Sequence, residues 1–308
     1  MSSSLQYLLG ALQEAFENPL EKILPHVLSP FTGDPILNVL AVTTGVIVAV
    51  YVLGLSTGNH SFVDKVWSIV PVLYAWQFAL GELACQSGGG YPRAAVAACI
   101  ITVWGIRLSY NFYRKGGYAW DGEDYRWEVL RQSMSPARYH LFHIFFIAIA
   151  QNLLLTAITL PLSVVWHTTC RAQTAVRFNG FDALAIIGCV FCLIIEAVAD
   201  QEQFDFHVRK HGGRLHASEK KRGFLAEGLF ACSRHPNFFA EQSFWVFVGL
   251  FASASTGRWV GWWWVGVAGL IALFHGSTNF TEEISEGKYP AYPAYKRSVN
   301  RLVPKLTF

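Results

Sequence analysis

Seven stretches of the chain are apolar over about the length a helix needs to cross a bilayer, about 20 residues. They fall at roughly 35–55, 62–81, 92–110, 139–160, 180–199, 237–255 and 259–276. Proline marks several edges (Pro35, Pro92, Pro161, Pro236), as expected where a helix starts or stops. The stretch 4–28, SLQYLLGALQEAFENPLEKILPHVLS, has a different pattern. Its apolar residues recur at three- and four-residue spacing with Glu14, Glu17 and Glu21 between them, and Pro19 and Pro25 break it. That pattern predicts a helix lying on the membrane surface. No basic segment precedes it, so a cleaved leader is not expected. The expected fold class is all-α: a polytopic integral membrane protein with seven transmembrane helices in one bundle. An interfacial segment over 1–34 precedes a membrane domain over 35–308, with the cofactor-binding half at about 180–308.

Composition agrees with a membrane protein. Charged residues make up 15% of the 308, hydrophobic ones 53%, and the mean hydropathy is +0.31. A soluble domain carries about 25% charged residues. The net charge of +3 is too small to indicate nucleic acid. The placement of the charges says more. With seven spans, one face receives only Lys22, Arg93, Arg171, Arg177 and Arg258. The other receives 18 of the 24 Lys and Arg, and Lys65 lies inside the second span. Positive charge collects on the cytosolic side. The C-terminus and the loops 107–138 and 200–236 are therefore expected in the cytosol and the N-terminus in the lumen, with the endoplasmic reticulum as the expected membrane. Cys85 and Cys170 both fall on the lumenal face, where a disulfide is allowed. The six cysteines show no metal-ligand spacing, so no metal is expected.

The basic loops also hold aromatic and acidic residues, as in GIRLSYNFYRKGGYAWDGEDYRWEVLR at 105–131. Arginine forks and aromatic faces suit a phosphorylated nucleotide. The positive-inside rule and an interfacial aromatic belt produce the same mixture, and the loops alone leave both readings open. Polar residues within spans are more specific, because charge at membrane depth usually faces a cavity. Glu196 and Asp200 are four apart at the end of the fifth segment, and Asn237 and Glu241 four apart at the start of the sixth. Each pair shares a helix face. The Pro236 helix start presents free N–H groups to an anion. Two polar stripes facing across a pocket is one reading; capping plus an interhelical hydrogen bond is the other. Asp64 is expected to face a pocket and Lys65 to reach the interface. Gln151 and Asn152 are expected to bond to a neighbouring helix.

An ordered set of motifs then carries a resemblance: FVDKVW at 62–67, WGIRLSY at 104–110, EDYR at 123–126, EAVADQ at 196–201, SRHPNFFAE at 233–241, and Lys288-Tyr289-Pro290 with Tyr295-Lys296-Arg297. From about residue 35 onward the chain resembles the steroid 5-alpha-reductase-like membrane proteins, and within them a seven-span steroid-oxidoreductase-like branch. More distantly, the Arg-His-Pro stretch is similar to that of isoprenylcysteine carboxyl methyltransferases. The resemblance implies NADPH bound on the cytosolic side and reduction of a carbon–carbon double bond conjugated to a carbonyl. Arg107 matches the family arginine ending the third span. Asp200 and, past a short insertion, Arg209 match the contacts after the fifth, and Asn237 and Glu241 match an Asn-Phe-x-Gly-Glu piece. Ala240 stands where glycine is usual, and His275 is what remains of a histidine-rich segment. The cofactor residues so expected are Arg107, Arg114, Glu196, Asp200, Arg209, Arg234, His235, Asn237, Glu241, Tyr295 and Arg297.

The catalytic half departs from the steroid reductases. They carry a Gln-Glu pair in the second span and a tyrosine in the third, where this chain has Asp64 and Trp104. Hydride transfer leaves negative charge on the substrate carbonyl oxygen, which a held donor must stabilise before a proton reaches the α-carbon. Asp64 and Tyr110 are assigned to that task. The partner is a lipid or sterol-like substrate entering from the bilayer. Two rivals remain, an S-adenosylmethionine-dependent membrane methyltransferase and a non-catalytic lipid-binding protein.

Overall fold

The computed structural model describes residues 2–22, 25, 33–86, 90–173 and 177–305. Of the expected surface helix over 4–28, positions 23–24 and 26–28 lie outside the described residues. Among the described residues every regular element is helical, apart from one isolated parallel bridge between Ser233 and Asn300. Five helices are long and apolar enough to cross a membrane. They are α2 (Pro35–Thr57), α3 (Phe62–Cys85), α4 (Arg93–Arg114), α6 (Pro136–Arg171) and α7 (Gly180–His211). Ahead of α2 lies α1 (Ser3–Glu17), and α5 (Tyr125–Ser133) sits between α4 and α6. After α7 come α8 (Ala217–Arg222), α9 (Pro236–Thr256), α10 (Val265–Lys288) and α11 (Tyr292–Ser298). Two of these, α9 and α10, fall on the sixth and seventh apolar stretches but are not among the five.

The element ends follow local chemistry. Pro35 occupies the first turn of α2, and Asp34 caps it by accepting from the Ile36 N–H at 2.8 Å. Gly58 ends α2 in the left-handed region, φ 71°, which only glycine adopts without strain. Pro71 and Pro161 interrupt regular hydrogen bonding inside α3 and α6. The helix α1 stops at Glu17, two residues before Pro19.

The chain forms two compact units. Unit 1 comprises 1–186 and 248–267, unit 2 comprises 187–247 and 268–308. In unit 1, several polar side chains buried among apolar helices pair with one another, as a low-dielectric interior favours. Asn38 donates to Gln77 at 3.1 Å, and Thr43 lies between Tyr74 and Thr156 at 3.0 and 2.8 Å. Arg93 grips Asp182 with two hydrogen bonds of 2.6 and 2.8 Å, both side chains almost fully buried. Glu82 accepts from the Ala94 N–H at 2.7 Å. Where α3 meets α4, the Gly105 backbone lies so close to the Ser68 carbonyl that a Cβ would sit 2.6 Å from it. A disulfide joins Cys85 to Cys170, 85 residues apart. The N-terminal helix is hooked on by Tyr7, which donates to Asp34 and accepts from Arg171 at 2.8 Å. Asn152 departs from expectation: it donates to the Ala148 carbonyl, one turn back on its own helix. Lys65 turns into the loop after α4, donating to the carbonyls of Gly117, Ala119 and Gly122 at 2.7–3.0 Å.

Candidate functional site

In unit 2, α7 and α9 run antiparallel with a readable register. A Cβ on Gly188 would lie 2.2 Å from the Phe247 ring, so the helices touch there. Next, the Cys189 thiol donates to the Phe244 carbonyl at 3.8 Å. Further along, Cys192 lies within electrostatic reach of both Glu196 and Glu241. Continuing that register by one turn brings Glu196 level with Asn237, and Asp200, a turn further, lies past the start of α9. Glu196, Asp200 and Glu241 are all buried, and Glu241 accepts from the Trp245 indole at 3.2 Å. Glu196 and Glu241 therefore meet near Cys192 at the contact of the two helices, while Asn237 lies one turn before Glu241 and Asp200 one turn past Glu196, beyond the start of α9.

Below the start of α9, the segment 232–235 is sewn to the C-terminal tail. The backbone N–H groups of Arg234 and His235 donate to the carbonyls of Asn300 and Arg301 at 2.9 and 3.1 Å, and Lys305 N–H donates to the Cys232 carbonyl at 2.8 Å. Ser233 Oγ donates to Leu302 at 2.7 Å. At the centre sits Glu282 of α10, buried. It accepts from Arg234 at 2.7 and 3.1 Å, lies 3.0 Å from His235, and has Arg301 and Lys296 at 3.4 and 3.8 Å. Burial alone would raise its pKa. Hydrogen bonds and charge from His235 and Arg234 outweigh burial and hold it at about 2. Arg234 also donates to the carbonyls of Lys296 and Val299, so four of its five N–H groups are taken within the protein. Its principal work is to build the site. Tyr295 likewise gives its hydroxyl to the Phe230 carbonyl at 2.5 Å, whereas Arg297 is exposed.

Arg209, in the last turn of α7, pairs with Glu219 at 2.7 Å and keeps a buried Nε with no partner. The N–H of His216 and then Arg209 hold Glu219 below its usual pKa. Lys210 fixes the following turn, donating to the Gly223 carbonyl and the Tyr289 hydroxyl at 2.6 and 3.0 Å.

The remaining expected residues lie in unit 1. Asp64 accepts from the Trp127 indole at 2.8 Å. Tyr110 is 61% exposed, with the Arg114 guanidinium over its ring at 5.6 Å. Arg114 Nε donates to Asn111 at 3.0 Å, and Arg107 is half-buried. Among the described residues Asp64 and Tyr110 share no hydrogen bond or ring contact. Trp104 is fully buried. Sequence reasoning missed Glu282, Glu219 and a cluster of His60, Glu123, Arg131 and His143. The only signal for Glu282 was a lone run of acid, TEEISE, inside an apolar helix.

Comparison with known proteins bears on this arrangement. The family described as "Protein of unknown function (DUF1295)" matches residues 50–299. The chain belongs to the DUF1295 family. An uncharacterized protein of Schizosaccharomyces pombe is 36% identical over 260 residues, which cover 81% of this chain and 74% of that protein. No solved structure matches the chain. The DUF1295 region takes in every residue of the acidic stripes and the Glu282 knot up to Val299, and leaves out α1.

Proposed function

We propose that this DUF1295 protein is an NADPH-dependent oxidoreductase of the membrane. It would reduce a carbon–carbon double bond in a sterol-like or other lipid enone, in the manner of the steroid 5-alpha-reductase-like proteins its motifs resemble. One observation carries the reading: the buried carboxylates Glu196 and Glu241 meet near Cys192 where α7 and α9 pack within one compact unit, with buried Asp200 one turn along α7.

The residues of unit 2 fit a dinucleotide phosphate. Around Glu282, the cations Arg234, Lys296 and Arg301 outnumber the carboxylates Glu282 and Glu286, so positive charge is left for an anion. Arg209 has an unpartnered buried N–H. Asn237 stands in the first turn of α9, where backbone N–H groups attract anions. Arg209 and Arg297 would hold phosphate. Glu196, Asp200, Asn237 and Glu241 would hold hydroxyl and amide groups, with Tyr295 and the Arg234–His235–Glu282 knot fixing the frame. When bound, the cofactor supplies hydride. Asp64 and Tyr110, the residues expected to serve the substrate carbonyl, belong to unit 1. Arg107 and Arg114 belong to unit 1 and carry none of this argument.

In this reading α9 and α10 are the sixth and seventh spans. The hydropathy of α9 is lowered by polar residues at its start, Asn237, Glu241 and Gln242, and α10 runs on past the apolar stretch ending at about 276 into the acidic residues Glu282, Glu283 and Glu286. Two independent observations support a cytosolic C-terminus: the 18-to-5 division of Lys and Arg, and the Cys85–Cys170 disulfide, which needs an oxidising compartment on the opposite face. The endoplasmic reticulum meets both conditions.

Thermal unfolding of the purified protein in detergent, with NADPH and with S-adenosylmethionine, tests the proposal, since a ligand of the native state raises the melting temperature. NADPH is expected to stabilise and S-adenosylmethionine not to. The converse supports the methyltransferase, and stabilisation by neither supports the non-catalytic reading.

A further inference from the structure

The N-terminal helix α1 buries little apolar surface. Among its described residues Ala15 is buried, while Leu9 and Phe16 stand 44% and 83% exposed. The helix lies over a cavity of ≈ 460 Å³ in unit 1. Gln6, Tyr7 and Glu14 of α1 line it, with Asp34 and Leu37 at the start of α2 and His167 of α6. An element with so few buried contacts depends on its polar ties, and these set its local stability.

Tyr7 carries most of those ties. It donates to Asp34 and accepts from Arg171 at 2.8 Å, and Arg171 also lies 3.4 Å from Asp34. The Tyr7 ring packs against Trp166 at 5.9 Å and His167 at 5.6 Å, with the Arg171 guanidinium over it at 5.1 Å. A further tie runs from the Trp262 indole to Ser4 at 3.2 Å. Apart from Asp34, the partners of Tyr7 all fall within 166–171, the last turns of α6.

Those turns are pinned by the disulfide. Residues 167–171 are π-helical, a geometry found mostly in single turns and often at functional sites. Cys170, the residue before Arg171, is bonded to Cys85 at the end of α3, with Cα atoms 5.6 Å apart. The polar contacts beside it are weak. Thr169 donates to Glu82 at 3.4 Å, and Cys170 Sγ lies 3.5 Å from the Gly81 carbonyl. Cys85 is exposed and Cys170 half-buried, so a thiolate can reach the pair.

We propose that Cys85–Cys170 is a thiol–disulfide exchange site, and that its reduction by a dithiol releases Arg171 from Tyr7 and frees α1 from the cavity beneath it. One thiolate of the dithiol attacks Sγ of Cys85, forms a mixed disulfide and expels Cys170 as a thiolate. The second thiolate then displaces Cys85. The two cysteines gain two electrons and two protons, and the dithiol ends as its own disulfide. The end of α6 then keeps only weak polar contacts to α3, and Arg171 no longer has a fixed base from which to hold Tyr7.

Amide exchange of the full chain in detergent, with and without dithiothreitol and with no cofactor, tests this independently of the reductase reading. Reduction should speed exchange over α1 about tenfold and leave residues 36–51 within about twofold. Cys85→Ser with Cys170→Ser should show the fast α1 without reductant. Arg171→Ala should show it with the disulfide intact, and dithiothreitol should then add less than about twofold. Exchange over α1 that ignores reduction, a rise shared equally by 36–51, or a full tenfold response of Arg171→Ala to dithiothreitol overturns the proposal. If a variant does not fold, the dithiothreitol titration of the unaltered protein decides.

Discussion

The two units bury charge in opposite ways. In unit 1 several buried charges and amides close on single sets of partners. Arg93 is matched by Asp182, Asn38 by Gln77, Asp64 by Trp127, and the Lys65 ammonium by three carbonyls. In unit 2 one buried carboxylate, Glu282, is met by Arg234, His235, Lys296 and Arg301. Desolvation makes an unpaired buried charge costly in either place. Closed pairs spend all of their charge on stability. A cationic excess around one anion leaves charge for something else to use, which is why the proposed phosphate-bearing ligand is assigned to unit 2.

The contrast can be broken most sharply at Glu282. Glu282→Ala leaves its cations facing each other without a counter-charge and is expected to destabilise by about 3–5 kcal/mol, measured by denaturation in detergent. The acid limb adds a sign. The folded pKa of Glu282, about 2, lies below the ordinary 4.5, so its contribution is complete above about pH 4.5 and fades as pH falls toward 2. Glu282→Gln should flatten that limb, and an unchanged limb would show that the knot does not depend on the charge.

Unit 1 is tested by its cross-link. Cys85→Ser with Cys170→Ser should cost about 2–4 kcal/mol, with reductant reproducing the loss in the unaltered protein. A smaller effect than that of Glu282→Ala is expected because only a covalent tie is lost, with no charge stranded. The smallest effect is expected at Glu128. Its ion pair with Arg131 lies at the surface, and Glu128→Ala should move stability by less than about 0.5 kcal/mol.

Hydropathy read the beginnings of helices well. The apolar stretches at 35, 62, 180 and 237 start within a residue of α2, α3, α7 and α9, because a proline, a glycine or a change in polarity marks each. Ends were read short. Both α7 and α10 run on through charged residues to His211 and Lys288, since a helix leaving the membrane keeps its backbone hydrogen bonds while losing its apolar pattern. The i,i+4 pairs Glu196–Asp200 and Asn237–Glu241 were legible because helical periodicity alone puts them on one face. Glu282 and Arg234 were not, because 48 residues separate them and nothing local to TEEISE announces a guanidinium partner. His60, Glu123 and Arg131 escaped for the same reason: the first lies 63 residues from its carboxylate.

The central claim is that unit 2 holds a dinucleotide phosphate through the end of α7. The affinity of purified protein for NADPH, compared between the unaltered chain, Arg209→Ala and Arg209→Lys, tests it most directly. The account predicts at least about a tenfold loss in Arg209→Ala and partial recovery in Arg209→Lys, which keeps a cation beside Glu219. Equal NADPH affinity in all three proteins would contradict it.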